Sequence, residues 1–171
     1  MKIIDGAVNN CDEIIRAIES DYPYTRSVVG QDSRIADVRT SESTFLPFLS
    51  YSNAEPINEM NKTVWKALDQ YAKDCNTGFH SVESVSVNRY EPGQSYGLHT
   101  DYGTGSNRVI SALVYLNTVE NGGETYFDKF DLAVKPVAGR MVIFPSNYLF
   151  SHEARTTVDS VKIAAAYWAQ G

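Results

Sequence analysis

His99-Thr100-Asp101 is a His-x-Asp triplet, and a second histidine, His152, follows further along the chain. Two imidazoles and one carboxylate form the ligand set that holds ferrous iron on one face and leaves the opposite face open for chemistry. In an extended strand residues i and i+2 point to the same side, so His99 and Asp101 project together with Cα atoms about 7 Å apart. Leu98 and Thr100 then face away, and His152 must arrive from another strand, across the fold. Asp101 offsets part of a divalent metal's charge, and the imidazoles bind as neutral donors. A zinc hydrolase built on the same trio needs a general base beside the metal. Glu124 and Glu153 are the acids to hand, but neither sits in a His-Glu-x-x-His helix. His-x-Asp triplets also arise by chance. The remaining histidine, His80, has no carboxylate two residues on and reads as a structural or surface residue.

Lys162 lies in the segment Val-Lys-Ile-Ala-Ala-Ala-Tyr-Trp, residues 161–168. In a strand Lys162, Ala164, Ala166 and Trp168 share one face, and Val161, Ile163, Ala165 and Tyr167 share the other. Two placements are open. With the first face inward, the alanines leave room and the ammonium sits in an apolar pocket, which is costly unless an anion pairs with it. No acid in the segment can be that partner, so an acidic co-substrate beside the metal would be. With that face outward, Lys162 is a solvated edge lysine.

The elements that must position these groups fall into two parts. Asn9-Asn10 offers a cap for a helix over Cys11–Ser20, with Ile14, Ile15 and Ile18 on one side. A longer helix runs from Pro56 to Cys75, with Ile57, Met60, Val64, Leu68 and Tyr71 at three- and four-residue steps. From Ser81 onward short β-type segments alternate with turns: 82–90, 95–101, 108–117, 124–127, 131–135, 140–145 and 161–168. Segment 108–117 is apolar on both faces, as a central strand covered on two sides would be. Helices followed by many antiparallel strands predict an α+β fold, a jelly roll backed by N-terminal helices. The expected organisation is one domain over 1–171, with helical support in 1–80 and the jelly-roll core in 81–171. The stretch 22–34 has no period and reads as a lid over an active site or as a plain surface loop.

Bulk properties narrow the functions. At 171 residues and 19.0 kDa the chain can bury a core without disulfides. Its net charge of −6 and lack of any Lys/Arg run argue against nucleic acid as a partner. Its apolar runs are too short to span a bilayer, and Met1–Gly6 has no signal-peptide pattern, so a cytoplasmic protein is the simplest reading. Cys11 and Cys75 have no metal spacing and read as small buried hydrophobes in helices.

From Tyr90 to Trp168 the chain resembles the prolyl 4-hydroxylase branch of the Fe(II)/2-oxoglutarate dioxygenases, whose core is a double-stranded β-helix of the cupin type. The resemblance rests on Tyr90-Glu-Pro-Gly-Gln-Ser-Tyr96-Gly-Leu-His99-Thr-Asp101, Arg108-Val-Ile, Tyr115-Leu-Asn-Thr-Val-Glu, Gly122-Gly-Glu-Thr125, Val134-Lys-Pro-Val-Ala-Gly139 and Phe144-Pro. The spacing from His152 to Lys162 and on to Trp168 also fits, and Val38-Arg39-Thr40-Ser41 is a weaker echo. The loop Tyr102–Asn107 is short beside larger members of the branch, and 22–34 has no counterpart in it.

The resemblance implies that His99, Asp101 and His152 bind Fe(II). It implies that Lys162 pairs with the distal carboxylate of 2-oxoglutarate, helped by the hydroxyls of Tyr90 and Thr125. Tyr96, Arg108 and Trp168 match positions lining a peptide groove, although Tyr and Trp are common core residues and Arg108 could form only a surface ion pair. The implied reaction consumes 2-oxoglutarate and O2, with ascorbate as a candidate reductant, and hydroxylates a proline-containing peptide or protein, releasing succinate and CO2. Asp101 favours hydroxylation, because halogenases of the superfamily carry Gly or Ala there. A free amino acid or small metabolite as substrate, and a non-catalytic jelly-roll binding module, are the alternatives.

Overall fold

The computed structural model describes residues 1–29, 37–103 and 105–171. In chain order its elements are β1 (Lys2–Ile4), α1 (Cys11–Asp21), β2 (Thr25–Arg26), β3 (Glu42–Leu46), α2 (Glu55–Asp74), β4 (Ser81–Val82) and β5 (Val85–Tyr90). There follow β6 (Tyr96–His99), β7 (Arg108–Tyr115), β8 (Thr125–Phe127), β9 (Leu132–Val134), β10 (Met141–Pro145), β11 (His152–Ala154) and β12 (Lys162–Gln170). Single 3₁₀ turns at Asp128–Phe130 and Tyr148–Phe150 precede β9 and β11.

Both helices form where apolar spacing predicts them. All five residues of the expected α2 stripe are buried, and Asn61 and Ala72 join them. Pro56 sits in the first turn of α2, where its missing N–H costs nothing. The start of α1 differs from the expected side-chain cap. Asn10 takes a left-handed conformation (φ 57°) and its side chain makes no capping bond. Its carbonyl instead accepts from the amides of Glu13 and Ile14. The cysteines also differ from expectation: Cys11 is half-buried and Cys75 exposed, because each lies at a helix end and not within an apolar stripe.

Two antiparallel sheets carry the rest. The larger runs β1-β10-β7-β12-β5-β3-β2, with β4 also paired to β12, and the smaller runs β6-β11-β8-β9. Among the described residues no ladder joins one sheet to the other, so the strands form two facing sheets and not one closed barrel. The first eighty residues contribute more than helices, since β1, β2 and β3 add to the edges of the larger sheet. Within 22–34, Thr25–Arg26 is a strand and Ser27 is buried; residues 30–34 of the suggested lid lie outside the described residues.

β7 occupies a central place between β10 and β12, as its two apolar faces require. One face meets the helices in a core containing Ile14, Ile18, Leu68, Ile110, Ala112 and Val114. Between the sheets a second core gathers Tyr115, Phe127, Val134, Val142, Phe144 and Ala164. The alternation of β12 separates the same two spaces. Ile163, Ala165 and Tyr167 enter the helix-side core, whereas Lys162, Ala164, Ala166 and Trp168 line a cavity on the other side.

Among the described residues no helix is long and apolar enough to cross a membrane. Leu68 is fully buried where α2 meets the sheet, so Leu68→Ala is expected to cost about 2–5 kcal/mol through lost burial and a residual cavity. Urea denaturation of the purified variant measures this, and a change below about 0.5 kcal/mol, the range of an exposed substitution, would contradict the packing described.

Candidate metal centre and active-site cavity

The smaller sheet supplies two imidazoles. β6 ends at His99, β11 begins at His152, and the antiparallel register sets these residues directly opposite each other. Their ring centroids are 4.4 Å apart. His152 therefore comes from the neighbouring strand and not from across the fold, because β11, a strand too short to stand out in the sequence, inserts between β6 and β8. His99 Nδ1 lies 2.8 Å from the Gly97 carbonyl, and His152 Nδ1 lies 3.0 Å from the Phe150 carbonyl. A carbonyl only accepts, so each Nδ1 donates and Nε2 is the ring nitrogen left to bind a metal. Burial, reinforced by the adjacent His152, pushes His99 down to about 4, so the ring is neutral at ordinary pH.

Asp101 lies beyond the end of β6, in a bend, and not in the extended strand that the His-x-Asp spacing suggests. Its direction is set by the larger sheet: Ser111 Oγ on β7 donates to Asp101 Oδ2 at 2.7 Å. Asp101 Oδ1 is 3.9 Å from His99 Nε2. Burial opposes ionisation of this carboxyl, but the two imidazoles, the Ser111 hydroxyl and Arg108 outweigh it and hold Asp101 below the usual carboxylate value. One potential donor atom from each of His99, Asp101 and His152 lies within 4.8 Å of the others. Such a set could hold one divalent cation and leave its cavity side open. Glu124 and Glu153, the acids a zinc hydrolase would have used, line a separate surface groove. His80 is exposed.

The cavity measures about 730 Å³ and reaches from the metal trio to Lys162. Lys162 is 1% exposed, so its face points inward. Its ammonium donates to the Gly123 carbonyl at 2.7 Å and lies 5.2 Å and 5.5 Å from the ring centres of Tyr90 and Tyr115. Among the described residues it forms no ion pair, and burial lowers it to about 7 despite the opposing charge of Glu124. Tyr90 stands opposite Lys162 in the β5–β12 register, and the buried Thr125 accepts from Tyr115 at 2.8 Å. Burial raises the Tyr90 phenol to about 12.

The three residues matched to a peptide groove line the same cavity, Trp168 on the Lys162 face of β12, Arg108 on the adjacent β7 and Tyr96 on β6 of the smaller sheet. Tyr96 stacks on His99 with centroids 3.7 Å apart, and the Arg39 guanidinium covers its ring at 4.8 Å. Arg108 lies over Trp168 at 3.8 Å and is gripped by both Glu83 oxygens at 2.8 and 2.7 Å. It is thus both an ion-pair partner and a cavity residue. Sequence reasoning assigned no role to Glu83, Ser111, Tyr115 or Ser146. Tyr115 and Arg39 did carry a signal, in the Tyr115–Glu120 motif and the weaker Val38–Ser41 match.

Residues 85–170, half of the chain, match the 2OG-Fe(II) oxygenase superfamily. The chain belongs to that superfamily. Within it this oxygenase domain is related to prolyl 4-hydroxylases. It is 30% identical to prolyl 4-hydroxylase 2 of Arabidopsis thaliana, over 78% of this chain and 52% of that protein. It is 28% identical to a putative prolyl 4-hydroxylase of Acanthamoeba polyphaga mimivirus, over 83% of this chain and 59% of that protein. The chain thus spans about half the length of the curated relatives it matches. Among solved structures, the viral collagen prolyl hydroxylase of Paramecium bursaria Chlorella virus-1 superposes with a TM-score of 0.76 at 26% identity, covering 99% of this chain and 95% of that one. A Pseudomonas putida prolyl-4-hydroxylase shares the fold with a TM-score of 0.75 at 20% identity, covering 98% and 87%.

Removal of either imidazole leaves this oxygenase two donors, so His99→Ala and His152→Ala are each expected to abolish stoichiometric Co(II) or Fe(II) uptake. His80→Ala should bind as the unaltered chain does. Anaerobic calorimetric titration compares the three, and equal losses in all of them would refute the assignment of the trio.

Proposed function

We propose that this chain is an Fe(II)- and 2-oxoglutarate-dependent dioxygenase that hydroxylates a prolyl residue in a peptide or protein. The observation that carries this reading is that one cavity holds both a two-histidine, one-carboxylate set and a buried ammonium without an ion-pair partner among the described residues. The donor chemistry fits a ferrous ion at His99, Asp101 and His152. The ammonium fits a dicarboxylic co-substrate. We further take residues 1–171 as one domain whose two sheets are the halves of a jelly roll, the smaller carrying the histidines and the larger the lysine. Ascorbate is the reductant we would supply in assays.

When bound, iron and 2-oxoglutarate supply the oxidising power: one oxygen atom of O2 enters succinate as CO2 leaves, and the other enters the substrate's C–H bond as a hydroxyl group. The chain's own residues bind, orient and exclude water. His99 and His152 would bind through Nε2, because their Nδ1 atoms are held by backbone carbonyls. Lys162 supplies the counter-charge for the distal carboxylate, with the Tyr90 and Thr125 hydroxyls in reach of the same end of the cavity. Tyr96, Arg108 and Trp168 form the wall against which a peptide would lie. Arg108 brings no net charge there, because Glu83 neutralises it. That wall suits an uncharged ring such as proline. The curated relatives and the viral structure at 26% identity are prolyl hydroxylases by name, which supports the same substrate class.

Incubation with Fe(II), 2-oxoglutarate and a proline-rich peptide is expected to yield succinate and hydroxylated peptide in equal amounts. Succinate without hydroxylated peptide from any proline-containing substrate would overturn the prolyl assignment.

The lysine sets the expected pH response. Its value in the empty site is about 7, and a bound carboxylate raises it, so binding requires the protonated form. Affinity is therefore full below pH 7 and falls by up to about tenfold per pH unit above it, until the value of the complex is reached. Lys162→Ala should weaken 2-oxoglutarate by roughly a hundredfold or more while leaving metal affinity nearly unchanged. Titrations from pH 6 to 9 test both statements; a flat profile, or loss of metal and co-substrate together, would contradict the anchor role.

A further inference from the structure

We propose that Ser146 and Ser111 form a two-hydroxyl relay that makes Asp101 a one-oxygen metal ligand. The inference rests on the metal assignment above. An ionised carboxylate has no proton to give, so the 2.7 Å contact between Ser111 Oγ and Asp101 Oδ2 is donated by Ser111. Ser111 has a single hydroxyl proton. The 2.8 Å contact between Ser111 Oγ and Ser146 Oγ must then be donated by Ser146. Direction along the chain of bonds is thereby fixed: Ser146 to Ser111 to Asp101. The two serines are 1% and 2% exposed, so bulk water does not compete for these bonds. Each donation polarises the next hydroxyl, which strengthens the bond to the carboxylate.

Ser146 also fixes the backbone on the far side of Asp101. Its carbonyl accepts from the Tyr102 amide at 2.9 Å, and its own amide donates to Val109 at 3.1 Å. One residue at the end of β10 thus holds the carboxylate through Ser111 and the next peptide directly. Oδ2 thus carries the Ser111 bond, and Oδ1 is the oxygen 3.9 Å from His99 Nε2. A carboxylate free at both oxygens could chelate the ion and take a position that co-substrate or dioxygen needs. The serines are positioning residues, acting through Asp101.

The test uses the whole chain, stripped of metal and titrated with Co(II), whose visible absorption reports coordination number. Ser111→Ala is expected to weaken Co(II) binding about 10- to 100-fold and to shift the absorption bands. Ser146→Ala should weaken it several-fold, and the double variant should bind no more weakly than Ser111→Ala alone. Thermal unfolding of the metal-free proteins checks that each is folded; if Ser111→Ala is not, the affinity and spectrum of Ser146→Ala decide alone. Binding and spectrum of Ser146→Ala identical to the unaltered chain, or additive losses in the double variant, would overturn the relay and leave the metal assignment standing. No Co(II) uptake by the unaltered chain would overturn both.

Discussion

The site depends on one constraint: its three candidate metal donors are held by two different sheets. His99 and His152 are neighbours in the smaller sheet, fixed by backbone pairing and by their Nδ1 bonds. Asp101 follows directly on β6, yet its carboxylate is bonded to Ser111 in the larger sheet. The donors converge only while the two sheets keep their separation. The shared core of Tyr115, Phe127, Val134, Val142, Phe144 and Ala164 maintains that separation, since each of these residues is almost wholly buried between the sheets. Packing and coordination geometry are therefore one problem here.

The same architecture explains how a lysine is tolerated in the interior. An ammonium removed from water loses several kcal/mol of solvation (order of magnitude), and a single carbonyl acceptor offsets part of that. The faces of Tyr90 and Tyr115 offset more, since the ring quadrupole attracts a cation. The remainder is an unmet demand for negative charge at the buried Lys162. The aromatic and ion-paired groups around Trp168 present a nearly neutral wall. One cavity thus holds the candidate metal donors and a buried cation.

Packing on the far side of the larger sheet serves the site indirectly. α1 and α2 cover the face that carries Ile163, Ala165 and Tyr167, which leaves β12 only one way to turn Lys162. Even there a polar pair is present, the Tyr167 hydroxyl donating to Asn61 at 2.9 Å between α2 and the sheet. Period-two alternation then carries the decision made at the helix interface to the cavity one residue away.

The sequence by itself determined both helices and their stripes, most strands after Ser81, the two faces of β12 and the residue types of the candidate metal trio, while β1, β2, β3 and β11 were not legible in it. What it determined follows from periodicity and spacing within a few residues. It also carried the family, because ordered motifs from Tyr90 to Trp168 are specific as a set. What it left open were pairings between residues distant along the chain. β11 is a three-residue strand beside β6, Asp101 lies off the strand, Glu83 holds Arg108, and two unremarkable serines hold Asp101. Those outcomes depend on which strands become neighbours and in what register, and hydrogen bonding between strands is decided by the packing of the whole sheet. Lys162 shows the division most clearly. Alternation allowed it either face, and only the helices on the opposite side settled which one.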